Sequence, residues 1–435
     1  MNFFDNLKKI SRVHGYLILI IVLFAVGTFL RLYNFQNRLI FGPEQAISLI
    51  TASSYLDKFS LLGEVNLQRT TSTGLNPFHG AYFNYFLVPF IILFKFNPLP
   101  ITYFFLFLNL FTAYLFFRVS NKLFGKLIAV FALIYFLFSS KMIHHSLFIW
   151  NLNFLPLLGI LVLWIFANLY KNRQKIIYPF WLGVIGGIGF GLQYLFLPFI
   201  IFIFTLSILL SKKKIQSIIA FVVGIIIGGL SMVIFDLRHD FYYTRTLWQY
   251  FIDSINNKVN GGIHYYDFMY LLPYLFLIYA TVTTVLYKIW KPLCLIPLAI
   301  FVFINLNSPQ INYQNSTGVA PGITLKALES TSAIIADDNP PQKYNVVTLW
   351  DFDTRAHTLR YFLTNYHKRS PQGVEEYKNI DVLYAFAPED YNIDIPNVYE
   401  LNQFFPYKIT ELSSNTAGYR LYKLTKWNSQ LSSLP

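Results

Sequence analysis

Long runs of apolar residues recur along the first 306 residues of this chain, and they limit what it can fold into. A helix needs about 20 such residues to cross the hydrocarbon core of a bilayer. Charged residues make up only 13% of the chain, whereas soluble domains carry about 25%. The sequence therefore predicts a polytopic α-helical membrane protein with about eight to ten hydrophobic segments. The runs cover 16–34, 79–96, 99–117, 127–140, 153–170, 177–193, 195–211, 216–235, 269–287 and 291–306.

Basic clusters between the runs predict the orientation, because loops rich in Lys and Arg stay on the cytoplasmic side. The same clusters account for the net charge of +13 without a nucleic-acid partner. We expect a cytoplasmic N-terminus, and the run at 16–34 is expected to be a retained helix because it is too long for a signal peptide. The run 79–96 breaks the alternation, so it is expected to be re-entrant or interfacial, unless the basic cluster 118–126 violates the charge rule. The outer segments are then 35–78, 141–152, 236–268 and the tail from 307.

The tail has ordinary polarity and predicts a separate soluble domain. Short apolar runs at 345–349 and 381–385 are typical of buried strands, with a helical pattern between them. Alternation at 419–424 predicts a late strand. We therefore expect a multi-spanning domain over 1–308 and a small extracytoplasmic α/β domain over 309–435.

Glycine spacing predicts close packing between membrane helices, because small residues four apart let two backbones approach each other. This spacing occurs in two of the apolar runs. The residues are Gly183, Gly187 and Gly191, and then Gly224 and Gly228.

Glu44 is the candidate catalytic acid. Pro43 at the first position of a helix would place Glu44 in its first turn, and the pattern from Ala46 to Phe59 predicts a short amphipathic helix on the membrane surface. There the carboxylate either complements the helix dipole or acts as a general base. No Asp or Glu occurs between Glu64 and Asp236, which leaves few other acids near the membrane.

The outer loop 35–78 and its end supply candidates for substrate binding. Arg69 precedes a run of hydroxyl residues and a glycine at 70–74, and such groups beside an arginine can hold a phosphate. His79 and Tyr82 open the next apolar run. They are candidates for contact with a lipid or a sugar, although interfacial tyrosines also serve as membrane anchors.

Four polar residues in later loops are further substrate-binding candidates. Asn151 stands at the entrance of a helix, where it either caps the helix or binds substrate. Asp236, Arg238 and His239 follow the end of an apolar run, and they either satisfy one another or bind an anionic head group. The adjacent histidines at 144 and 145 point in different directions on a helix, so no shared metal is expected.

The sequence offers no signature of a cofactor. There is no Gly-rich Walker loop, no GxGxxG motif after a strand and no metal-spaced set of histidines. A single cysteine, Cys294, excludes an intrachain disulfide framework and a multi-cysteine metal site. The sequence thus requires no cofactor and gives no support to a divalent metal.

In their order and spacing, these motifs resemble the multi-spanning glycosyltransferases of the C-type fold, the group of protein mannosyltransferases and aminoarabinose transferases, including its bacterial members. The likeness covers most of the chain. It rests on Phe41 to Ala46, Thr71 to Gly74 with Pro77 and the block 82–85, RVSNKLFG at 118–125, Trp150-Asn151 with Leu155-Pro156, and FDLRHDF at 235–241.

The resemblance implies a GT-C-like enzyme of the cell membrane that transfers a hexosyl or pentosyl group, with inversion, from a polyprenyl-phosphate-linked donor. The acceptor would be a glycan, a lipid or a protein. Glu44 matches the position of the base that takes a proton from the acceptor hydroxyl. Arg69 or Arg238 would then bind the leaving phosphate.

The chain departs from the family pattern at two places. Members often have an Asp-Glu pair where this chain has Pro43-Glu44, and many have an acid in the second outer loop, where this chain has Asn151 and Asn153. The alternative function is therefore a non-catalytic or degenerate protein of lipid-linked sugar handling, such as a flippase or a polymerase partner. The centres of the apolar runs hold almost no ionisable groups, which favours surface chemistry over translocation.

Overall fold

The structure, a computed structural model, describes residues 3–65, 70–256, 264–317, 319–412 and 416–427. The chain divides into two compact units. The membrane unit comprises Met1–Tyr33, Thr51–Pro89 and Thr102–Ile311. The tail unit comprises Asn34–Ile50, Phe90–Ile101 and Asn312–Pro435.

Before residue 312 the described residues are almost entirely helical. The α-helices are α1 Phe3–Leu32, α2 Phe35–Arg38, α3 Pro43–Ser54, α4 Tyr82–Leu93, α5 Pro98–Phe124, α6 Lys126–Leu137, α7 Ser140–His145, α8 Leu155–Lys171, α9 Ile177–Leu192, α10 Leu197–Leu210, α11 Lys214–Gly228, α12 Leu230–Arg238, α13 Tyr242–Ile255, α14 Leu272–Ile289 and α15 Leu295–Leu306. Short 3₁₀ turns cover Asn151–Phe154, Tyr194–Phe196, Tyr265–Leu271 and Lys291–Cys294. Strands β1 Leu62–Val65 and β2 Phe78–Gly80 form an antiparallel pair.

Each predicted apolar run is mostly helical, although the run 79–96 begins in β2, and the chain is a multi-pass membrane protein. By length and composition, four described helical stretches can cross a membrane, and α11 with α12 adds a fifth if this pair, bent by 77°, is one span. The other apolar helices are shorter. The α4 helix, in the run that broke the predicted alternation, has 12 residues. At 1.5 Å per residue it is about 18 Å long, too short to cross a core of about 30 Å as one straight helix.

The glycines of α9 and α11 pack these helices backbone to backbone. A Cβ added to Gly183 would lie 2.1 Å from the Phe221 carbonyl oxygen, and one added to Gly228 would lie 2.2 Å from that of Val184. No side chain fits at such distances. The prediction of close packing through the small-xxx-small pairs is confirmed.

A buried arginine joins α1 to its neighbours. The side chain of Arg31 is fully buried; its Nη1 donates to the carbonyl oxygens of Gly27 and Leu137 at 2.8 and 3.0 Å, and its Nε donates to Asn109 Oδ1 at 3.0 Å. Leu137 is the last residue of α6, so the guanidinium satisfies a carbonyl that the helix leaves open at its end.

The tail unit contains a four-stranded sheet flanked by helices. Its elements are α16 Leu325–Asp337, β3 Tyr344–Thr348, α17 His357–Asn365, β4 Val382–Pro388, α18 Tyr399–Phe404, β5 Tyr407–Leu412 and β6 Tyr419–Lys426. The strand order is β3-β4-β6-β5, with β3 and β4 parallel and the other pairs antiparallel. The predicted strands and the helix between the first two are present, whereas α16, α18 and β5 were not predicted.

Two segments from the first 101 residues belong to the tail unit. The Asn34 amide donates to the carbonyl oxygen of Tyr313 at 3.2 Å, and the hydroxyl of Tyr361 donates to that of Phe96 at 2.5 Å. The α3 helix differs from the predicted surface helix because it ends at Ser54 and several of its apolar residues are buried within the protein.

Candidate functional site

Two of the predicted site residues, His79 and Tyr82, pack against an aromatic cluster in the membrane unit. The phenolic oxygen of Tyr82 accepts a hydrogen bond from the Ser231 amide at 3.1 Å, and the His79 ring stacks on Tyr194 with centroids 6.0 Å apart. The buried members are Leu62, Tyr194, Met232, Tyr243, Leu247 and Tyr250, with Phe78, Tyr82, Phe190, Leu195, Phe235 and Phe251 packed against them.

The carboxylate of Asp236 accepts hydrogen bonds from other residues of this chain. It lies in the last turn of α12 and is buried. Its Oδ1 accepts from the Tyr243 amide at 2.8 Å, and its Oδ2 accepts from the Thr244 amide and hydroxyl at 3.1 and 2.5 Å. These donors lie in the first turn of α13, so Asp236 caps that helix.

The two residues that follow Asp236 in the prediction are exposed. Arg238 is the last residue of α12. The ring of His239 stacks on Phe235, with centroids 4.2 Å apart, and its Nδ1 lies 2.8 Å from the Phe235 carbonyl oxygen. The acid and the bases of this motif therefore face different surroundings.

The side chain of Asn151 also forms hydrogen bonds with backbone groups. It is buried, its Nδ2 donates to the Leu192 carbonyl oxygen at 2.6 Å, and its Oδ1 accepts from the Leu152 amide at 3.0 Å. The predicted capping of this helix entrance is not what Asn151 does, since Trp150 is the N-cap residue and has no side-chain cap bond. Asn151 instead joins the start of the α8 region to the end of α9 through its bond to Leu192.

A carboxylate holds the hydroxyl-rich loop at 70–74. The Ser72 amide and hydroxyl donate to the two oxygens of Asp253 at 2.7 and 2.9 Å. These are the donors that a phosphate would need, and a buried acid of α13 already accepts from them. Arg69 lies outside the described residues, so its predicted role stays a prediction.

Glu44 lies in the tail unit, half-buried in the first turn of α3 directly after Pro43, as predicted. The turn is closed by Gln45, whose Oε1 accepts from the Gly42 amide at 2.9 Å.

The same unit holds Arg38, a fully buried arginine that the sequence analysis did not identify as a candidate. Its guanidinium lies over the Tyr313 ring at 5.3 Å, and burial lowers its pKa from the ordinary value.

A groove in the membrane unit was not predicted. It has a volume of about 730 Å³ and runs between α6, α14 and α15. Apolar and aromatic side chains line most of it, among them Tyr135, Phe276, Tyr279, Ile300 and Phe301.

Polar residues gather at one end of the groove. Ser139, Lys141 and Asn305 line it there, and the Ser140 amide and hydroxyl donate to Asn305 Oδ1 at 2.8 and 3.0 Å. Lys141 is the single Lys or Arg between Lys126 and Lys171. A lone lysine in a predicted outer loop is an exception to the charge rule, and this signal could have found it.

Around Lys141 lies a set of aromatic residues. Its ammonium stands over the Tyr265 ring at 4.5 Å, and the Tyr265 hydroxyl is 3.2 Å from Nε2 of His145. His145 stacks on Trp150, with centroids 5.5 Å apart and an angle of 5° between the rings. Burial, with repulsion from His144 next, lowers the pKa of His145 to about 3. His145 is therefore neutral at physiological pH.

No group of three or more His, Cys, Asp or Glu in the described part of the chain is arranged to hold a metal ion. The sequence-based expectation on cofactors stays a prediction.

No protein-family model matches the sequence, and no curated protein matches it. Solved structures do match. The apo crystal structure of ArnT, an aminoarabinose transferase from Cupriavidus metallidurans, has a TM-score of 0.55 at 10% identity, over 96% of this chain and 98% of that chain. ArnT from the same organism bound to undecaprenyl phosphate has a TM-score of 0.47 at 10% identity, over 94% and 98%. The first likeness shows that this chain has the C-type (GT-C) glycosyltransferase fold, a polytopic helical membrane architecture with a small α/β region at its C-terminal end, as the sequence predicted.

Proposed function

We propose that this chain is a membrane glycosyltransferase that uses a polyprenyl-phosphate-linked sugar and transfers it to an acceptor at the outer face of the membrane. The observation that carries the proposal is the groove between α6, α14 and α15, which is apolar along its length and has Lys141 at its polar end. An apolar chain gains about 0.8 kcal/mol for each CH₂ group that it buries. The lysine supplies the charge that a phosphate requires.

The groove fits this donor better than a neutral lipid. A neutral chain would need only the apolar walls, whereas a lipid phosphate also uses Lys141 and the hydroxyl and amide groups beside it. Ser139 and Asn305 can both donate hydrogen bonds to phosphate oxygens. The lipid phosphate would thus lie with its tail between α14 and α15.

Glu44 is the proposed general base. Its carboxylate takes the proton of the acceptor hydroxyl as the acceptor oxygen attacks the anomeric carbon. The bond from that carbon to the phosphate oxygen breaks, and the lipid phosphate leaves with the electron pair. Attack from the face opposite the phosphate inverts the anomeric centre. Binding by a cation stabilises the charge that develops on the leaving phosphate.

Binding measurements test the groove. We expect the full chain in nanodiscs to bind undecaprenyl phosphate more tightly than undecaprenol. Lys141→Gln should lower the affinity for the phosphate by about tenfold or more, because a charge-assisted hydrogen bond contributes about 1.5–3 kcal/mol. The affinity for the alcohol should not change.

Lys291→Gln is the matched control, since Lys291 is an exposed lysine in the turn before α15. Equal affinity for the two lipids in the wild-type chain would contradict the proposal. Phosphate binding that depends on Lys141, together with no transfer from any lipid-linked sugar, would favour the alternative of a degenerate protein of lipid-linked sugar handling.

The proposal also requires an orientation, with the N-terminus in the cytoplasm and the tail unit outside. Ser370 is exposed, so Ser370→Cys should react with an impermeant thiol reagent in intact cells. The wild-type chain, whose one cysteine is buried, is the control. Protection of Ser370→Cys until the cells are lysed would reverse the orientation.

A further inference from the structure

A chain of contacts leads from the groove into the protein interior. Lys141 lines the polar end of the groove, and its Nζ stands 4.5 Å from the centre of the Tyr265 ring. The Tyr265 hydroxyl meets His145 Nε2 at 3.2 Å, and His145 Nδ1 meets Asn153 Oδ1 at 3.0 Å. The last link is the Asn153 amide, which donates to the Phe148 carbonyl oxygen at 2.8 Å.

The hydrogen bond from Asn153 to Phe148 determines which groups donate and which accept in the other hydrogen bonds. Because the Asn153 amide nitrogen donates to Phe148, the Asn153 oxygen faces His145 and accepts a hydrogen bond from it. His145 therefore carries its proton on Nδ1, and Nε2 is left as the acceptor for the hydroxyl of Tyr265. One arrangement of protons satisfies every member of the chain.

The surroundings keep His145 in that neutral form. Burial, with the neighbouring His144 next, lowers its pKa to about 3. An imidazolium would have no lone pair for Tyr265, and it would repel the Lys141 ammonium. Trp150 fixes the plane of the imidazole by stacking on it at an angle of 5°.

We infer that His145 and Tyr265 are positioning residues: His145 fixes the phenol ring, and the face of that ring holds the Lys141 ammonium at the polar end of the groove. This inference rests on the proposed function. Lysine has a flexible four-carbon side chain, and its ammonium is a point charge without the fixed fork of arginine. A ring face attracts the ammonium without neutralising it, so the charge stays available to an anionic head group.

The role predicts a specific change in selectivity. The readout is the affinity ratio of undecaprenyl phosphate to undecaprenol, measured with the full chain in nanodiscs. A loss of general packing would weaken both lipids, whereas a displaced ammonium weakens the phosphate alone. Tyr265→Leu should lower the ratio by about 2- to 30-fold, the range expected when a cation–π contact is lost.

Paired variants separate the positioning role from a structural one. His145→Leu removes the acceptor for Tyr265 and should lower the ratio, whereas His145→Gln keeps an acceptor at that place and should restore most of it. Phe268→Leu is the control, because Phe268 lies in the same turn and its ring contacts Tyr270, which is not a member of the chain of contacts. If His145→Leu does not fold, Tyr265→Phe, which keeps the ring and loses the hydroxyl, should still lower the ratio.

The outcomes separate this inference from the proposed function. If Lys141→Gln removes the preference for phosphate and the Tyr265 and His145 variants keep it, the positioning role is wrong and the donor site stands. The same conclusion follows if Phe268→Leu lowers the ratio as much as Tyr265→Leu does. If the wild-type chain itself shows no preference for phosphate, the proposed function fails first.

Discussion

Two sets of polar side chains in the membrane unit are used in different ways. In the first set, Asp236, Asp253 and Asn151 are buried and bond mainly to backbone groups of the same unit. In the second set, Lys141 and Ser139 line a cavity of about 730 Å³. The first set holds loops and helix ends together. The residues of the second set line a cavity that a ligand can fill.

The difference follows from what each group needs. A carboxylate beside a helix start finds amide donors there and satisfies them. A lysine ammonium only donates, and Lys141 lies over an aromatic ring, which holds the charge without neutralising it. Polar residues in a membrane loop therefore become site candidates when they coincide with a cavity, and most others serve the fold.

The largest effect should come from Glu44, the proposed general base, which lies in the tail unit and belongs to neither set. Glu44→Gln keeps the shape and hydrogen bonding of the side chain but cannot accept the acceptor's proton. Transfer from a polyprenyl-phosphate sugar should fall by at least about a hundredfold. Stability should change by less than about 1 kcal/mol, the range for a charge at a helix N-terminus. Turnover in proteoliposomes and thermal unfolding in detergent measure the two effects.

Asp57→Asn is the matched control, because Asp57 follows α3 and is exposed. Its turnover should stay near that of the wild-type chain. Near-normal turnover of Glu44→Gln would move Glu44 to the set that serves the fold, with its charge complementing the dipole of α3.

A smaller effect, on stability, should come from Asp236, which the comparison assigns to the fold. Asp236→Ala removes the cap of α13 and should cost about 0.5–2 kcal/mol in the free energy of unfolding. Asp236→Asn should recover only part of this loss, since the Asn side chain keeps one acceptor oxygen and its NH₂ group cannot accept the hydrogen bonds that the other carboxylate oxygen receives. Thermal unfolding of the three proteins in one detergent measures the difference. A loss of undecaprenyl phosphate binding in Asp236→Asn, with unchanged stability, would reassign Asp236 to the ligand.

Apolar periodicity and glycine spacing predicted the membrane unit well, because both features act through local geometry. Each apolar run is mostly helical, although the run 216–235 is divided between α11 and α12, and the Gly183 and Gly228 contacts are as close as the spacing indicated. The first turn of α3, with Pro43 before Glu44, was also predicted, since proline at a helix start has a local cause.

The groove and its polar end could not be predicted in the same way. They depend on α6, α14 and α15, which are far apart in sequence, and on bulky side chains such as Tyr135 and Phe301 that line the space between them. The roles of Ser72 and Asp253 were missed for the same reason, because the two residues are 181 positions apart. Residue type alone predicted that the loop at 70–74 binds a phosphate. In the folded chain, this loop binds the carboxylate of Asp253.

The smallest effect should come from Arg238, which is exposed at the end of α12. Sequence reasoning offered it as a partner of the leaving phosphate, and the structure puts it in neither of the two sets. A surface substitution usually changes stability or binding by less than about 0.5 kcal/mol, so Arg238→Lys should change the affinity for undecaprenyl phosphate by less than about twofold.

Arg245→Lys, at an exposed arginine of α13, is the control. A fall of about tenfold in Arg238→Lys alone would indicate a bidentate contact that lysine cannot make. Arg238 would then join Lys141 as a ligand residue, and the phosphate would be shared between two places in the membrane unit.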